Sequence, residues 1–299
     1  MSRYRFVAAE KVAVRNVAKA CVLLEVSRSA YYDWAKQLRS AHARRDDALR
    51  VHIRSIHTES RGTYGAPRIH QQLRQEGVRT ARKRVARVMA ADGLCGRQKR
   101  RFKKTTIPDT ESTGLWIDLV ARDFTPRDRP LNQAWVGDIT YLRTWQGWAY
   151  VATVIDLASR RVVGFAVADH MRTSLIEEAM EMALKSRRPA AGLIFHSDRG
   201  SQYTSAAFRQ LLARYHVRQS LSRPRQCWDN AVAESFFATL KTELVYRQPL
   251  TSIPAARAAV FDYIETFYNR KRLHSALGYQ SPSTYEACRL TQPKTAPAA

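Results

Sequence analysis

The chain has 299 residues and a formal net charge of +24, with 45% hydrophobic and 25% charged residues. This composition excludes an intrinsically disordered chain, and the length suggests two domains. The four cysteines lie far apart, which excludes a disulfide framework and a cysteine-rich zinc module. Because no apolar leader and no 18-residue apolar run is present, we expect a cytoplasmic, nucleoid-associated protein.

The positive charge is concentrated in the first third of the chain. Residues 1–104 contain 26 Lys and Arg against 8 Asp and Glu, whereas residues 105–299 contain 24 against 18. Charge of this density attracts phosphate backbones through counterion release, so we expect nucleic-acid binding. A membrane surface is the weaker alternative, because it would need a basic amphipathic helix with a large aromatic face, and the sequence has none.

The first 40 residues predict a small helical unit. The apolar stretch NVAKACVLLEV is followed by Ser27 and Ser29, which are good helix N-caps, and then by Tyr31, Tyr32 and Trp34. Two short helices joined tightly would form a helix-turn-helix, whose second helix can enter a major groove. A plain packed pair of helices explains the same pattern equally well.

A second helical unit follows with a clearer pattern. Glu76-Gly77 separates two of its helices, Thr80 is the predicted N-cap of the later one, and Gly93 suits its end. Helical spacing predicts the buried residues Leu49, Ile53, Ile56, Ile69, Leu73, Val85, Val88 and Met89. The outward face of the last helix carries the predicted DNA contacts Arg82, Lys83, Arg84 and Arg87. A solvated surface face is the alternative interpretation.

The periodicity changes after residues 97–115, which combine a basic cluster with Pro, Ser, Thr and Gly and predict a linker. Three β-branched runs, QAWVGDITYLRT, WAYVATVIDLAS and RVVGFAVADH, are joined by short turns and predict an antiparallel meander. The later strands GLIFHSD and RQSLS are separated by helices and should therefore pair in parallel. The result is a mixed sheet flanked by helices, followed by two more helices near 230–244 and 253–268.

Three carboxylates stand out by their position. Asp138 lies within the first strand, where an unpaired charge is costly, and Asp198 follows the fourth strand, at the end where α/β sheets place their ligands. Glu234 comes after 35 further residues, on a helix whose apolar stripe lies on the opposite face. Lys241, seven residues later, shares the face of Glu234. Singly, each carboxylate would be interpreted as a cap or a surface charge.

Other polar residues have structural explanations. Asp156 ends the second strand and is predicted to stabilise the turn, and His196 is predicted to be a structural hydrogen-bonding residue. His274 is expected to pack or to contact phosphate, and the free cysteines are expected to be buried thiols.

The sequence resembles a known family at several motifs. WVGDITYL, HSDRGSQYTS, DNAVAESFFATLKTEL and FYNRKRLHSALGYQSP look like the second-frame product (OrfB) of insertion-sequence-three-type transposases. Asp138, Asp198, Glu234 and Lys241 match the DDE pattern of retroviral integrases and transposases, including the basic residue after the glutamate. The resemblance runs from about residue 45 to 286 in motif order, with Gly137 standing where a polar residue is common.

The resemblance implies an α/β fold with a ribonuclease-H-like core and an N-terminal all-α helix-turn-helix region. We expect a helical DNA-binding region at 1–96, a basic linker at 97–129, the catalytic core at 130–250 and a helical extension at 251–299. Asp138, Asp198 and Glu234 would bind two Mg²⁺ ions, with Mn²⁺ as a substitute, for cleavage and strand transfer. Lys241 would contact DNA, with a solvated helix position as the alternative. Asn230 would contact the DNA or orient Glu234, and simple N-capping explains it equally well.

The resemblance also implies partners. The family's first-frame product (OrfA) usually supplies a terminal-repeat-binding domain, so we expect an OrfA partner or a frameshift fusion, and a homo-oligomer on DNA. Two alternative functions remain. A ribonuclease-H-like nuclease would cut hybrids without joining ends, and a non-catalytic regulator would bind DNA without metal-dependent cleavage.

Overall fold

The computed structural model describes residues 2–13, 15–36, 41–97, 118–120, 125–126, 129–222 and 230–291. Most of the predicted linker at 97–129 lies outside these described residues, the exceptions being Arg97, 118–120, 125–126 and Arg129. The chain divides into two compact units, one of Met1–Arg61 with Gly65–Cys95 and one of Gly62–Tyr64 with Gly96–Ala299. Each unit has its own secondary structure and is described by itself. No helix among the described residues is long and apolar enough to cross a membrane.

The first unit begins with three short helices, α1 (Arg3–Val12), α2 (Val17–Leu23) and α3 (Arg28–Ala35). Each begins at a residue whose side chain accepts a backbone N–H bond: Ser2, Asn16 and Ser27. Such caps satisfy amides that the first helical turn leaves unpaired. The helices enclose a small core of Val7, Ala20, Cys21 and Tyr31. The predicted N-cap at Ser27 is therefore confirmed, whereas the prediction for Ser29 is wrong, because Ser29 lies inside α3 and its hydroxyl bonds to that of Ser27.

Three further helices complete the unit, α4 (Ala41–Glu59), α5 (Ala66–Gln75) and α6 (Arg82–Ala91). All eight residues predicted to be buried in them are buried. The predicted cap at Thr80 is wrong, because α6 begins after Ala81 and has no side-chain cap. Thr80 instead accepts a hydrogen bond from His70 Nε2 through its backbone oxygen, at 3.0 Å.

The second unit is built on a five-stranded sheet with the order β3-β2-β1-β4-β5. Its strands are β1 (Ala134–Thr144), β2 (Gly147–Asp156), β3 (Val162–Ala168), β4 (Ile194–Ser197) and β5 (Arg218–Leu221). The first three form an antiparallel meander, whereas β1 pairs with β4, and β4 with β5, in parallel. Both predicted pairing modes are confirmed, since short turns join the first set and helices separate the second.

Helices pack on this sheet and bury its apolar residues. The sequence alternates β4 and β5 with α7 (Thr173–Arg187) and α8 (Ala206–Arg214), and these helices share one apolar core with the strands. That core includes Trp135, Leu175, Met180, Phe195 and Phe208. The predicted mixed sheet flanked by helices is therefore confirmed.

The remaining helices are α9 (Ala231–Glu243), α10 (Ile253–Asp262), which continues into a π-helical segment (Tyr263–Tyr268), and α11 (Pro282–Thr291). Asn269, just after the π-helical segment, exchanges two hydrogen bonds with the backbone of Val162, at 2.9 and 3.0 Å. These bonds join the end of α10 to the start of β3.

Candidate active site

Two carboxylates are placed together by the parallel pairing of β1 and β4. The hydrogen-bonded register ends with Val136 opposite His196, and the same register extended by two residues sets Asp138 opposite Asp198. In parallel strands, residues in register point to the same face of the sheet. Asp138 accepts a hydrogen bond from the N–H of Ile139 at 2.8 Å, and Asp198 accepts one from the N–H of Gly200 at 3.0 Å.

The third carboxylate comes from the first turn of α9, which begins after Asn230. Asn230 is buried, and its Nδ2 donates a hydrogen bond to the backbone oxygen of Gly137 at 3.3 Å, next to Asp138. This bond ties the start of α9 to β1. Glu234, which lies four residues after Asn230, is therefore held on the side of the sheet where Asp138 lies.

Gly137 allows the close packing of the sheet beside Asp138. A Cβ atom at this position would lie 2.3 Å from Cζ of Phe195, a distance that real contacts do not reach. The ring of Phe195 also contacts Tyr203 and Phe208, so it cannot move aside without disturbing the core. The departure from a polar residue at position 137 thus has a packing explanation.

The charges of the three carboxylates act on one another. Burial raises the pKa of Asp138 to about 7, and the negative charges of Asp198 and Glu234 raise it as well. The hydrogen bond from Ile139 and the positive charge of Lys241 act in the opposite direction but do not balance these effects. Among the described residues, neither Asp138 nor Asp198 forms a salt bridge. Asp138 therefore lies in an environment that disfavours its charged form.

The chemistry of these side chains suits a hard divalent cation, because Mg²⁺ and Mn²⁺ prefer carboxylate oxygen. Within the described part of the chain, no group of three or more His, Cys, Asp and Glu side chains is arranged so that it could hold a metal ion. The charges of Asp198 and Glu234 nevertheless act on Asp138. They fit a divalent cation by donor type and by charge.

Lys241 lies close to this cluster, as its spacing from Glu234 predicts. Its charge acts on Asp138, and its Nζ lies 5.0 Å from the centre of the Tyr141 ring. Burial lowers the pKa of Lys241, and the charge of Asp138 opposes that shift. The residue is therefore a partly buried cation at the border of the carboxylate cluster.

The predictions for two neighbouring residues are confirmed. His196 is buried and is hydrogen-bonded through both ring nitrogens, to the hydroxyls of Ser220 at 2.8 Å and Ser222 at 3.4 Å. Asp156 is buried and accepts hydrogen bonds from three backbone N–H groups, including those of Ala158 and Ser159 in the turn. The hydrogen bonds of both residues join elements of the sheet and its turn.

The expectation that the free cysteines are buried is only partly right. Cys21 is buried in the core of the first unit, whereas Cys95 and Cys288 are exposed. Cys227 lies outside the described residues. Burial of a thiol depends on the packing of distant elements, which residue type alone does not reveal.

The four basic residues predicted to contact DNA from α6 fall into two pairs. Arg84 and Arg87 donate hydrogen bonds to the two carboxylate oxygens of Asp46 on α4, at 2.7 and 2.6 Å. The hydrogen bonds from Arg87 and Arg84 lower the pKa of Asp46 to about 2. Arg82 and Lys83 are exposed. The outward basic face thus consists of one pair that is bonded to Asp46, of which Arg87 is also exposed, and a second exposed pair.

The end of α9 contains a cluster that sequence reasoning missed. Glu243 is buried, and it accepts hydrogen bonds from Arg272 to both carboxylate oxygens and from the hydroxyl of Tyr263, all at 2.8 Å. Arg272 belongs to the motif FYNRKRLHSALGYQSP, so this motif positions the helix that carries Glu234. Its density of Arg, Asn and Tyr was the available signal for such a structural role.

Comparison with known proteins covers both units. The family profile of an HTH-like domain matches residues 44–102, and two profiles of the integrase core domain match residues 128–227 and 215–282. The chain is 38% identical over 277 residues to transposase InsF for insertion sequence IS3A of Escherichia coli strain K12, covering 91% of this chain and 94% of the relative. It belongs to the IS3-type family of insertion-sequence transposases.

Another relative agrees with this assignment. The insertion element IS600 uncharacterized 31 kDa protein of Shigella sonnei is 38% identical over 265 residues, which are 89% of this chain and 96% of the relative. The HTLV-2 integrase catalytic core domain in complex with magnesium aligns with 51% of this chain and 94% of that chain, at 17% identity and a TM-score of 0.37. The first integrase core profile spans Asp138 and Asp198, and the second spans Glu234. The transposase therefore has its three candidate carboxylates inside the integrase core.

Proposed function

We propose that this DDE transposase cleaves DNA at the ends of its insertion sequence and joins the resulting 3′-hydroxyl groups to target DNA, using Asp138, Asp198 and Glu234 as its catalytic carboxylates. The observation that carries these assignments is the environment of Asp138, whose pKa is raised to about 7 by burial and by the negative charges of Asp198 and Glu234. Carboxylates with strongly raised pKa values concentrate at functional sites, because an arrangement that disfavours the charged form costs stability.

Asp138, whose pKa is raised by the charges of both other carboxylates as well as by burial, would be the shared ligand of two divalent cations, with Asp198 and Glu234 each holding one. When bound, Mg²⁺ or Mn²⁺ would stabilise the attacking and leaving oxygens of an in-line phosphoryl displacement. In the first displacement, an oxygen of water forms a bond to phosphorus and the 3′-oxygen leaves as a hydroxyl. In the second, this 3′-hydroxyl attacks a phosphate of the target strand and displaces another 3′-oxygen. Neither displacement needs a covalent protein–DNA intermediate.

The chain's own residues bind and orient the DNA in this proposal. Lys241, which is near Asp138 and partly buried, would contact the phosphate next to the reacting one. Asn230 would hold the first turn of α9 through its bond to Gly137, so that Glu234 stays on the side of Asp138. We therefore assign Asn230 a positioning role in place of the direct DNA contact expected from sequence.

Recognition of DNA outside the core would come from the helical unit. Arg82 and Lys83 on α6 are exposed and would contact phosphates, while Arg84 and Arg87 are engaged with Asp46. We also propose that an OrfA product, as a partner or as a frameshift fusion, supplies most recognition of the terminal repeats, and that the transposase acts as a homo-oligomer on DNA. A footprint confined to the terminal repeats, obtained with the chain alone, would contradict the first of these two partner proposals.

The test is a strand-transfer assay. Labelled DNA that carries the terminal repeat of the element and a free 3′-hydroxyl is incubated with plasmid, the transposase and either Mg²⁺, Mn²⁺ or EDTA, with and without OrfA. Wild type should give joined product only with a divalent cation. Glu234→Gln should lower the yield by at least about a thousandfold, because the variant loses a ligand charge needed in the transition state.

The matched control is Glu178→Gln, which makes the same change at an exposed position on α7 and should leave the yield unchanged. Cutting of RNA–DNA hybrids without joining would contradict transposition in favour of a nuclease. DNA binding that survives Glu234→Gln, with no reaction by wild type even when OrfA is added, would contradict it in favour of a regulator.

A further inference from the structure

The tip of the β1–β2 hairpin exposes aromatic side chains that the catalytic proposal does not use. The exposed fractions are 57% for Tyr141, 74% for Trp145 and 46% for Trp148. Tyr246, in the segment after α9, is 61% exposed. Isolated exposed apolar residues are common, but four large rings around one depression are not explained by folding.

These rings line a single groove of about 720 Å³. We call it the hairpin groove; its floor and walls also include Arg143, Lys241 and the segment that ends at Leu250. The backbone N–H of Trp145 donates a hydrogen bond to the oxygen of Leu250 at 3.0 Å, so the two walls are joined. Its volume is within the range of roughly 300–1,000 Å³ that is typical of sites for small ligands, and it suits one or two nucleotides better than a duplex.

Cations and rings alternate in the hairpin groove. Arg143 lies directly across the strand pair from Trp148, and its guanidinium is 5.8 Å from the centre of that ring. Lys241 lies 5.0 Å from the centre of the Tyr141 ring, and Tyr141 packs edge-on against Trp148 at 5.1 Å. Rings interleaved with basic side chains are the combination that binds single-stranded nucleic acid, because the rings stack on bases and the cations contact phosphates.

The hairpin groove adjoins the carboxylate cluster. Tyr141 lies only three residues from Asp138 on β1, although the two side chains leave opposite faces of the strand. Lys241 makes the connection, because it lines the groove and also interacts electrostatically with Asp138. A DNA strand whose phosphate lies at the carboxylates would therefore have its neighbouring nucleotides at the groove. A second copy of the chain is a poorer occupant, because a net charge of +24 opposes self-association and the groove itself carries two cations.

We infer that the hairpin groove binds unpaired bases of the DNA strand next to the reacting phosphate, by stacking on Trp145, Trp148, Tyr141 and Tyr246. This inference rests on the proposed function, and it adds a binding site outside the DDE residues. The groove would hold nucleotides that have separated from their complementary strand at the cleaved end. Arg143 and Lys241 would contact their phosphates.

The experiment compares two probes that have the same phosphates and differ in their bases. A labelled 12-nucleotide oligo(dT) and an abasic strand of equal length are titrated with the full-length transposase in EDTA, and fluorescence anisotropy gives both affinities. Wild type should prefer oligo(dT). Trp145→Ala should weaken oligo(dT) binding by about tenfold and leave abasic binding unchanged, since stacking is lost and the charge is kept.

Two variants serve as controls. Trp145→Phe keeps an aromatic ring and should retain most of the preference for oligo(dT). Tyr215→Ala removes an exposed ring outside the hairpin groove and should behave as wild type. Equal affinities of Trp145→Ala and wild type for oligo(dT) would overturn the inference. The inference would also be overturned if Trp145→Ala changed from dimer to monomer in sedimentation velocity while its preference for oligo(dT) stayed the same. The groove would then be a self-association surface.

The binding assay and the strand-transfer assay fail independently. Binding in EDTA requires no chemistry, so a loss of base preference in Trp145→Ala supports the groove even if no strand transfer is detected. If strand transfer depends on Glu234 but Trp145→Ala binds oligo(dT) normally, the proposed function stands and this inference alone is overturned.

Discussion

Two carboxylates in the two units of the transposase have opposite electrostatic surroundings. Asp46 on α4 receives hydrogen bonds from Arg87 and Arg84, and these lower its pKa to about 2. Asp138 on β1 faces Asp198 and Glu234, and burial together with these two charges raises its pKa to about 7. The first carboxylate is balanced by the fold, whereas the second is left unbalanced. This difference separates a carboxylate that holds helices together from one whose surroundings disfavour its charge.

Glu243 at the end of α9 is a second carboxylate whose charge is balanced by the fold. Glu243 and Glu234 lie on the same helix, yet Glu243 is buried against Arg272 and Tyr263 while Glu234 is exposed. The balanced carboxylate at the end of α9 fixes the helix, and the carboxylate in the first turn interacts with the site. The contrast between balanced and unbalanced carboxylates can be tested by substituting either the basic side chain that pairs with a carboxylate or the carboxylate itself.

The largest effect is expected for Arg272→Met, which leaves Glu243 buried without its cation. Removing one partner of a buried ion pair costs about 3–5 kcal/mol of unfolding free energy, because the remaining charge has lost its compensation. The double variant Glu243→Gln with Arg272→Met should recover most of this loss. Urea denaturation followed by tryptophan fluorescence measures both.

The control for this prediction is Glu181→Gln, which breaks the exposed ion pair with Lys185 on α7. An exposed pair at this spacing contributes about 0.5 kcal/mol or less. If Arg272→Met were no more destabilising than Glu181→Gln, the ion pair between Glu243 and Arg272 would not be what fixes α9 in place.

Asp138→Asn should increase the stability of the metal-free protein at neutral pH, whereas Arg272→Met decreases stability. Because the folded pKa of Asp138 is raised from 3.8 to about 7, its stabilising contribution is present below pH 4 and is lost as the pH rises through 7. Wild type should therefore lose stability relative to the variant across this range, by on the order of 1 kcal/mol per pH unit. Thermal unfolding in EDTA from pH 4 to 8 measures the difference.

Adding Mg²⁺ above pH 7 should raise the Tm of wild type and not that of Asp138→Asn, since only wild type offers the full set of charges. Asp169→Asn changes a carboxylate whose side chain is 75% exposed and should show neither effect. A pH-independent difference between wild type and Asp138→Asn would contradict the unbalanced charge at this site.

Much of the fold could be predicted from the sequence because its signals are local. The three β-branched runs joined by short turns predicted the meander, and the intervening helices predicted the parallel pairs. Thr80 was the exception, because a side chain that could cap α6 is buried elsewhere and the helix begins after Ala81. Local capping preference is a weak signal where tertiary packing competes with it.

The site could be predicted only in part. Asp138, Asp198 and Glu234 were identified from position and motif, and parallel register brings the first two together. The partners of charged residues could not be predicted, because Asp46 lies about 40 residues from Arg84 and Arg87, and Glu243 lies 29 residues from Arg272. Such pairs depend on how whole helices pack. The sequence therefore predicts which residues carry charge but not which charges are balanced.

Asp46→Asn is expected to have a smaller effect than Arg272→Met, with a distinct pH dependence. The folded pKa of Asp46 is lowered from 3.8 to about 2, so its contribution to stability is present above pH 4 and is lost as the pH falls through 2. The variant should have a lower Tm than wild type at pH 7, and the two values should converge toward pH 2. A difference in Tm that stays constant over this range would contradict the role of the two arginines.

The smallest effect is expected on DNA binding by α6. The double variant Arg82→Ala with Lys83→Ala should reduce the slope of log affinity against log salt concentration by about 2, since each exposed cation releases roughly one counterion. Arg84→Ala with Arg87→Ala should change the slope by less, because these arginines already neutralise Asp46. Fluorescence anisotropy with a duplex at several salt concentrations measures the slopes. Equal changes in slope for both double variants would mean that pairing with Asp46 does not prevent Arg84 and Arg87 from contacting DNA. The ion-pair cluster around this balanced carboxylate would then also take part in binding.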